Sequence, residues 1–269
     1  MARHLVLITV SLLFLIPFWW LIISSVKSTE QILTYPPRWL PDPIHWENYR
    51  LALTSPTFPF LTLLQNTLFY TVTSTIGTVV SSTVVAYAFA RMRFWGRDVL
   101  FSITLATLLL PGVVTLIPTY ILFQRLGWVG TYAPLIVPHF FGSAFNIFLI
   151  RQFMLTVPRD MSDAARVDGA GDFTILWRVM APLLQPVLLV VAILHFMYTW
   201  NDFLGPLLYV DDASEYTLVI GLYAFRSRMA LQWHLLTAAA LAITLPLILL
   251  FFVAQRYFIE GVTLTGIKG

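Results

Sequence analysis

The sequence predicts an all-α integral membrane protein with six transmembrane helices, and two observations carry that prediction. First, 58% of the 269 residues are hydrophobic and 11% are charged, with a mean hydropathy of +0.80, whereas about 25% of the residues of an ordinary soluble domain are charged. Second, several stretches without Asp, Glu, Lys or Arg reach the length of about 20 residues that a helix needs to cross the hydrocarbon layer. The composition excludes a disordered chain, and the lack of cysteine excludes a disulfide scaffold.

The six predicted spans follow the uncharged stretches of the chain. They are residues 5–26, 63–90, 99–124, 126–150, 179–201 and 229–255. The second begins at residue 63 because Pro56 and Pro59 interrupt the longer stretch before it. The first exceeds the core of a signal peptide, which has about 7–15 apolar residues, and no small-x-small cleavage site follows it, so we expect a retained helix. We expect the proline-rich segment 28–59 to be extended structure broken by turns.

Positive charge is distributed unevenly between the two sets of loops. Ten of the 16 Lys and Arg residues fall on the side that holds both ends of the chain, and the short loop 91–97 contains Arg91, Arg93 and Arg97. Because cytoplasmic loops carry an excess of Lys and Arg, both termini are predicted to be cytoplasmic. The basic pI of 9.3 follows from this topology and indicates no nucleic-acid partner.

The connection between the fourth and fifth spans, residues 158–182, is too polar to cross a membrane and too patterned for a random linker. Pro158 ends the preceding helix, and residues 163–167 favour a new one. Gly169 and Gly171 permit positive φ angles, so the chain can turn sharply there. The pattern predicts a helix, a glycine turn and a second helix that lie along the inner membrane surface.

The ends and faces of these two helices can also be predicted. Ser162 or Asp160 is suited to cap the first helix, and Asp172 lies where its charge favours the dipole of the second. The second helix is expected to have one apolar face, because apolar residues recur in it at amphipathic spacing: Phe173, Leu176 or Trp177, and Met180. These residues alone leave two interpretations open. The hairpin transmits force from a cytosolic partner, or it lies on the membrane surface with no partner.

The hairpin resembles the cytoplasmic signature of ATP-binding-cassette (ABC) importer permeases, which consists of Glu-Ala-Ala, three residues, Gly, nine residues and Ile-x-Leu-Pro. Here Asp163-Ala164-Ala165 is followed after three residues by Gly169 and after nine more by Val179-Met180-Ala181-Pro182. Every spacing matches, while Asp163, Val179 and Ala181 stand where the family has Glu, Ile and Leu. Segments 35–41, 86–91 and 200–203 are similar to those of carbohydrate importers, and the best match is the maltose-type second permease subunit.

The resemblance implies a single type I ABC importer transmembrane domain, residues 1–269, in a prokaryotic inner membrane. The loop 158–182 would then be the coupling helix, with contact and turn positions at Asp163, Ala164, Ala165, Gly169, Ala170, Val179 and Pro182. The partners implied are two ATPase subunits, a second permease subunit in a heterodimer and an extracytoplasmic solute-binding protein, within membrane lipid. No Gly-rich phosphate-binding loop ends in Lys-Ser/Thr here, so ATP and Mg²⁺ are expected on the ATPase subunits. We expect no cofactor, metal site or catalytic residue in this chain.

Polar residues at membrane depth usually face the interior of a helix bundle or a water path. The candidates for a substrate pathway are Asn146, His195, Tyr198, Trp200, Asn201 and Asp202. Aromatic faces beside hydrogen-bonding groups suit a sugar, whose rings offer apolar C–H faces and hydroxyl edges. The alternative is that these groups satisfy one another between helices.

Two other kinds of function stay open on the sequence. Asp168 and Asp172 have a spacing that could hold Mg²⁺ on a diphosphate, as in an aspartate-rich prenyltransferase. Such an enzyme needs a second carboxylate cluster facing the first, and the only acids on that side outside the hairpin are Asp98 and Glu260. A gated channel is the other alternative, and it would not need the hairpin. Within the importer family, a polyol or a glycerol phosphate is an alternative substrate.

Overall fold

The computed structural model describes residues 2–228 and 232–263, and every regular element in these ranges is helical. The α-helices are α1 Ala2–Ser25, α2 Thr29–Leu33, α3 Glu47–Leu53, α4 Phe60–Arg91, α5 Arg97–Ala106, α6 Gly112–Arg125, α7 Ala133–Ile136, α8 Ala144–Thr156, α9 Asp160–Val167, α10 Asp172–Thr174, α11 Ala181–Leu183, α12 Gln185–Trp200, α13 Leu204–Tyr209, α14 Leu218–Arg228 and α15 Trp233–Thr263. Short 3₁₀ segments occur at Thr107–Leu109, Val137–Phe141 and Ala213–Glu215, and a π-helix at Ile175–Met180.

Within the described residues, four helices are long and apolar enough to cross a membrane. They are Arg3–Ser25, Phe60–Arg91, Ala133–Thr156 and Trp233–Gln255. Two further candidates are pairs of helices with a sharp bend between them, so length and composition allow four to six spans. These four correspond to the first, second, fourth and sixth predicted spans, and the fourth is interrupted at Gly142 and Ser143, whose ψ angles are 158° and 128°. Residues 229–231 of the sixth predicted span lie outside the described residues. The membrane-spanning, all-helical class is confirmed, while the count of six depends on the two bent pairs.

The third and fifth predicted spans are not straight helices, which corrects the prediction. The third is broken at Leu110 and Pro111, whose ψ angles of 115° and 132° are extended, and the helical segments on either side meet at 100°. Proline has no backbone N–H and disfavours a helical residue before it. The fifth is bent by 82° at Leu184, two residues before Pro186, where the same loss of a donor weakens the helix.

The chain divides into two compact units, the first of which comprises Met1–Thr67 and Ser214–Leu249. In this unit α4 and α14 approach closely, because a Cβ at Gly221 would lie 2.4 Å from Leu63 Cδ1. Phe58 and Phe225 are both fully buried and pack with ring centroids 5.2 Å apart. The amide of Leu218 donates to Thr67 Oγ1 at 2.8 Å, which satisfies one of the free donors at the start of α14.

The segment 28–59 was expected to be extended, but it contains two short helices. Ser28 begins α2 with a reciprocal capping box, in which the side chains of Ser28 and Gln31 each bond the other's backbone amide. Asn48 of α3 donates to the carbonyls of Ser25 and Lys27 at 3.0 and 2.9 Å. The Lys27 ammonium is buried, donates to the carbonyl of Arg38 and lies over the Trp20 ring. These polar contacts hold a segment that its prolines alone would leave open.

The second unit comprises Leu68–Ala213 and Leu250–Gly269 and contains both regions with candidate site residues. Its apolar core is formed by fully buried side chains from α4, α8, the π-helix and α12, including Ala86, Ile150, Met154, Ile175, Met180 and Val191. Along α4, Thr71, Ser74 and Thr78 are fully buried at spacings of three and four. Such small residues let helix backbones approach closely in lipid.

Candidate functional site

The hairpin (residues 158–182) has the helix–turn–helix form that the sequence predicts. Helix α9 ends in a Schellman motif, because the amide of Ala170 donates to Ala165 O at 2.9 Å and that of Gly169 to Arg166 O at 3.0 Å. Gly169 has φ +84°, a conformation that costs a residue with a Cβ about 1–2 kcal/mol. Gly171 has φ −74°, so of the two glycines that permit a positive φ, Gly169 is the one that adopts it.

Ion pairs and hydrogen bonds join the hairpin to itself and to α4. Asp172 Oδ1 accepts from the Tyr87 hydroxyl at 2.8 Å and from Arg166 Nη2 at 3.0 Å, while Arg166 Nη1 donates to Asp163 Oδ1 at 3.0 Å. The hydrogen bond to Asp172 raises the pKa of the Arg166 guanidinium above its ordinary value. All three charged side chains are about half exposed, so each pair adds little stability. Their effect is to fix the orientation of the hairpin against α4.

The capping prediction for α9 was wrong in detail. Asp160 is the first helical residue, and Arg159 occupies the N-cap position without a side-chain hydrogen bond. Ser162 is buried and its hydroxyl donates to the thioether of Met180 at 3.6 Å. The serine therefore packs α9 against the second arm of the hairpin.

The apolar face of the second arm is also shifted from the predicted one. Ile175, Leu176 and Met180 are buried, whereas Phe173 is 76% exposed. The reason is that residues 175–180 form a π-helix with i to i+5 hydrogen bonds, which adds a residue to the turn and changes which side chains share a face. The α-helical spacing used for the prediction does not apply there.

The predicted contact positions of the hairpin fall into two groups. Ala165, Ala170 and Val179 are half-buried and pack against the core. The remaining positions are exposed, namely Asp163, Ala164, Gly169 and Pro182. Val167 was not predicted as a contact, although it lies three residues after Ala164 and is 88% exposed. With the exposed Phe173, it gives the hairpin apolar surface that this chain leaves uncovered.

A second group of polar residues lies within the helices of the same unit. His195 is 8% exposed, its Nε2 is 3.3 Å from Thr78 Oγ1, and its ring centroid is 4.6 Å from that of His139 at an interplanar angle of 73°. Asp202 accepts from the Tyr70 hydroxyl at 2.8 Å through Oδ2. We call these five residues the intramembrane polar cluster. Tyr70 and Thr78 were not among the predicted pathway residues, since their partners come from distant parts of the sequence.

The other predicted pathway residues differ in exposure, since two are buried and two are exposed. Trp200 is 1% exposed and stacks on Phe196 with centroids 5.4 Å apart, and Asn146 is 6% exposed. Asn201 is exposed, and its side chain donates to the Met197 carbonyl at 2.7 Å. Tyr198 is 67% exposed, with its ring 6.0 Å from that of His195.

The described residues contain no group of three or more His, Cys, Asp or Glu side chains placed to hold a metal ion. Of the two aspartates that suggested a prenyltransferase, Asp172 is engaged by Tyr87 and Arg166. The structure therefore offers no geometric support for a diphosphate-bound Mg²⁺ among those residues.

Comparison with known proteins identifies the family. Residues 82–263 match the family described as "binding-protein-dependent transport system inner membrane component". The arabinooligosaccharides transport system permease protein AraQ of Bacillus subtilis is 32% identical over 270 residues, covering 100% of this chain and 95% of AraQ. The maltose/maltodextrin transport system permease protein MalG of Salmonella typhimurium is 34% identical, covering 86% and 83% of the two chains.

Two further similarities extend over nearly the full length. The sn-glycerol-3-phosphate transport system permease protein UgpE of Yersinia pestis is 31% identical, covering 96% of this chain and 94% of UgpE. A chain in the crystal structure of a bacterial ABC transporter that imports the acidic polysaccharide alginate superposes with a TM-score of 0.84 at 25% identity, covering 96% and 95%. This protein therefore belongs to the inner membrane components of binding-protein-dependent transport systems and is a multi-pass permease subunit of an ABC importer.

Proposed function

We propose that this permease carries a sugar or a related solute into a prokaryotic cell, with the energy supplied by ATP hydrolysis on partner subunits. The observation that carries the proposal is the hairpin, whose Schellman turn at Gly169 presents Ala164, Val167 and Phe173 outward while its other face packs on the core. A stiff element with uncovered apolar surface is suited to sit in a groove of another subunit.

The proposed partners follow the family. Two ATPase subunits bind ATP and Mg²⁺ and grip the hairpin, a second permease subunit completes the pathway as a heterodimer, and an extracytoplasmic binding protein delivers the solute. Both termini lie in the cytoplasm in this arrangement, on the side where the arginines of the loop 91–97 are concentrated. Residues 1–269 act as one permease domain with no chemistry of its own.

Movement of the hairpin is passed on through its rigid contacts. Asp172 holds Tyr87 of α4, and Arg91 Nη2 at the end of α4 donates to the carbonyls of Met154 and Val157 at 2.8 and 2.7 Å. A displacement of the hairpin by the ATPase subunits therefore moves α4 and α8 together. Such rigid-body rocking is how transporters alternate access to a central site.

A carbohydrate is the favoured substrate class. Relatives are named for arabinooligosaccharides and maltodextrins, and one structural neighbour for alginate. The exposed aromatic ring of Tyr198 beside His195 offers the apolar face and the polar group that a sugar ring needs. A glycerol phosphate is the alternative, since UgpE is also similar.

The test uses the assembled transporter in proteoliposomes, with its second permease, ATPase subunits and binding protein. Uptake of labelled arabino- and maltooligosaccharides, polyols and sn-glycerol-3-phosphate is compared, and we expect ATP-dependent uptake of a saccharide. Uptake only of glycerol phosphate contradicts the carbohydrate assignment, and ATP-independent flux through this chain alone contradicts the importer mechanism.

A variant tests the docking surface itself. Ala164→Trp adds bulk on the exposed face of α9 and is expected to lower co-purification of the ATPase subunits at least about fivefold, because overpacking of a close interface costs about 1–3 kcal/mol. Arg178→Trp, also exposed on the hairpin but outside the α9 face, is the control and should retain them. Equal retention by both variants would contradict docking at Ala164.

A further inference from the structure

A basic cavity of about 350 Å³ lies between the end of α4 and α9. Its charged lining consists of Arg91, Arg93, Arg159, Arg166, Asp163 and Asp172. The side of α9 that faces it carries Ser162, Asp163 and Arg166, whereas Ala164 and Val167 are outside the lining and exposed. The cavity therefore adjoins the surface proposed to dock the ATPase subunits and shares Asp163 with it, while Ala164 and Val167 lie outside the cavity.

The charges in this cavity do not balance. Both aspartates are paired with one arginine, Arg166. Within the described part of the chain, neither Arg93 nor Arg159 has an ion pair. Arg91 uses Nη2 on two carbonyls, and its Nε–H is buried without an acceptor. Guanidinium groups of this kind bind phosphate oxygens through paired, charge-assisted hydrogen bonds.

The surroundings of Arg93 indicate where the anion comes from. Phe94 is 40% and Trp95 is 98% exposed beside it, and aromatic residues of this kind lie at the level of lipid headgroups. Arg93 also lines a second cavity of about 460 Å³, which shares Asp98 and Val99 with a third of about 500 Å³.

The third is a shallow depression on the surface of α5, mostly apolar, with Ile103 and Ala106 next to Val99. It runs along α5, in which no residue is buried. A basic cavity followed by a shallow apolar strip matches the charged headgroup and the acyl chain of a phospholipid. The one carboxylate between them, Asp98, is paired with Arg97 at 2.9 Å, which reduces its repulsion of a phosphate.

We propose that the cavity binds the phosphate of an anionic phospholipid between Arg93 and Arg159, with an acyl chain along Val99, Ile103 and Ala106. Basic pockets at the membrane surface between helices bind such headgroups. The lipid joins the end of α4, α5 and α9 and steadies the base of the hairpin. This site requires neither a particular solute nor an ATPase partner, so its test does not depend on the proposed function.

The test is native mass spectrometry of the full-length chain in detergent, titrated with phosphatidylglycerol or phosphatidylcholine. Arg93→Gln/Arg159→Gln should lower phosphatidylglycerol retention roughly thirtyfold, since each basic group contributes about fivefold at an anionic membrane surface. Arg178→Gln, exposed on the same hairpin but outside the cavity, should stay within about twofold of wild type. Retention of phosphatidylcholine should not change. Equal losses in Arg178→Gln and the double variant would mean general surface charge and overturn the site.

Two competition measurements identify the source of the phosphate. Inorganic phosphate and glycerol phosphate should not displace the lipid at equal concentration, because they lack the acyl chain. Displacement by either one assigns the cavity to a soluble anion and overturns the lipid proposal. Should the double variant fail to elute as a folded protein, Arg93→Gln alone decides the question, since Arg93 is exposed and a fivefold loss is still expected.

Discussion

The hairpin and the intramembrane polar cluster are built in different ways. The hydrogen bonds that form the turn of the hairpin join residues three to six positions apart, such as Ala170 with Ala165 and Arg166 with Asp172. In the polar cluster, Thr78 contacts His195 across 117 positions of sequence and Tyr70 contacts Asp202 across 132. A local motif shows its form in the sequence, whereas a cluster assembled by packing does not.

The two regions also differ in what they leave free. The hairpin packs one face on the core and presents Ala164, Val167 and Phe173 outward. In the polar cluster Tyr70, Thr78 and His195 are buried and bond one another or their neighbours. A polar residue inside a span is therefore not by itself a pathway residue, because interhelical hydrogen bonds already satisfy it. Tyr198, which is exposed, is the better pathway candidate.

The largest expected effect is on stability, and it distinguishes Trp200 from Tyr198 in the fifth span. Trp200→Ala empties a buried site and should lower the free energy of unfolding by about 3–5 kcal/mol. Tyr198→Ala removes an exposed ring and should change stability by no more than about 0.5 kcal/mol, while raising the apparent KM for the solute. Thermal unfolding in detergent and uptake in proteoliposomes measure the two quantities. Similar destabilisation by both variants would show that Tyr198 is a packing residue.

The next effect concerns the turn of the hairpin. Gly169→Val forces a β-branched residue to a φ of +84°, with a strain of about 1–2 kcal/mol, so the population of the native turn falls about 5- to 30-fold. ATP hydrolysis should continue in the reconstituted complex while uptake per ATP decreases. Gly171→Val is the control, because Gly171 has φ −74° and a Cβ there has no atom within 4 Å. If both valine variants transport alike, the turn is not part of the coupling.

The smallest effect tests the link between the hairpin and α4. Asp172→Asn removes the charge that accepts from Tyr87 and Arg166, and should lower stability by about 1 kcal/mol. Asp163→Asn breaks only one exposed pair with Arg166 and should cost at most about 0.5 kcal/mol. Denaturation of the purified chain compares them. A larger loss in Asp163→Asn would mean that the internal pair, and not the contact with α4, holds the hairpin.

Much of the candidate site could be predicted from the sequence, because its motif is local. The spacing from Asp163 to Gly169 and Pro182 predicted both the hairpin and the family, and the positive φ of Gly169 agrees with it. The sequence did not show which of the two glycines would take the positive φ, since a glycine permits a positive φ without requiring it. The π-helix at Ile175–Met180 was missed because the prediction assumed the 3.6-residue period of an α-helix, and a π-helix has an additional residue in its turn.

Composition and local sterics determined that this chain is a helical membrane protein, where its apolar helices lie and where the hairpin turns. These properties depend on a residue and its near neighbours, so they are already present in the sequence. Only the tertiary structure decided that two predicted spans bend by 100° and 82°, that Trp200 is buried while Tyr198 is exposed, and that Arg93 and Arg159 share a cavity. Those outcomes depend on which surfaces, distant in the sequence, pack together, and the periodicity of a segment does not specify its packing partner.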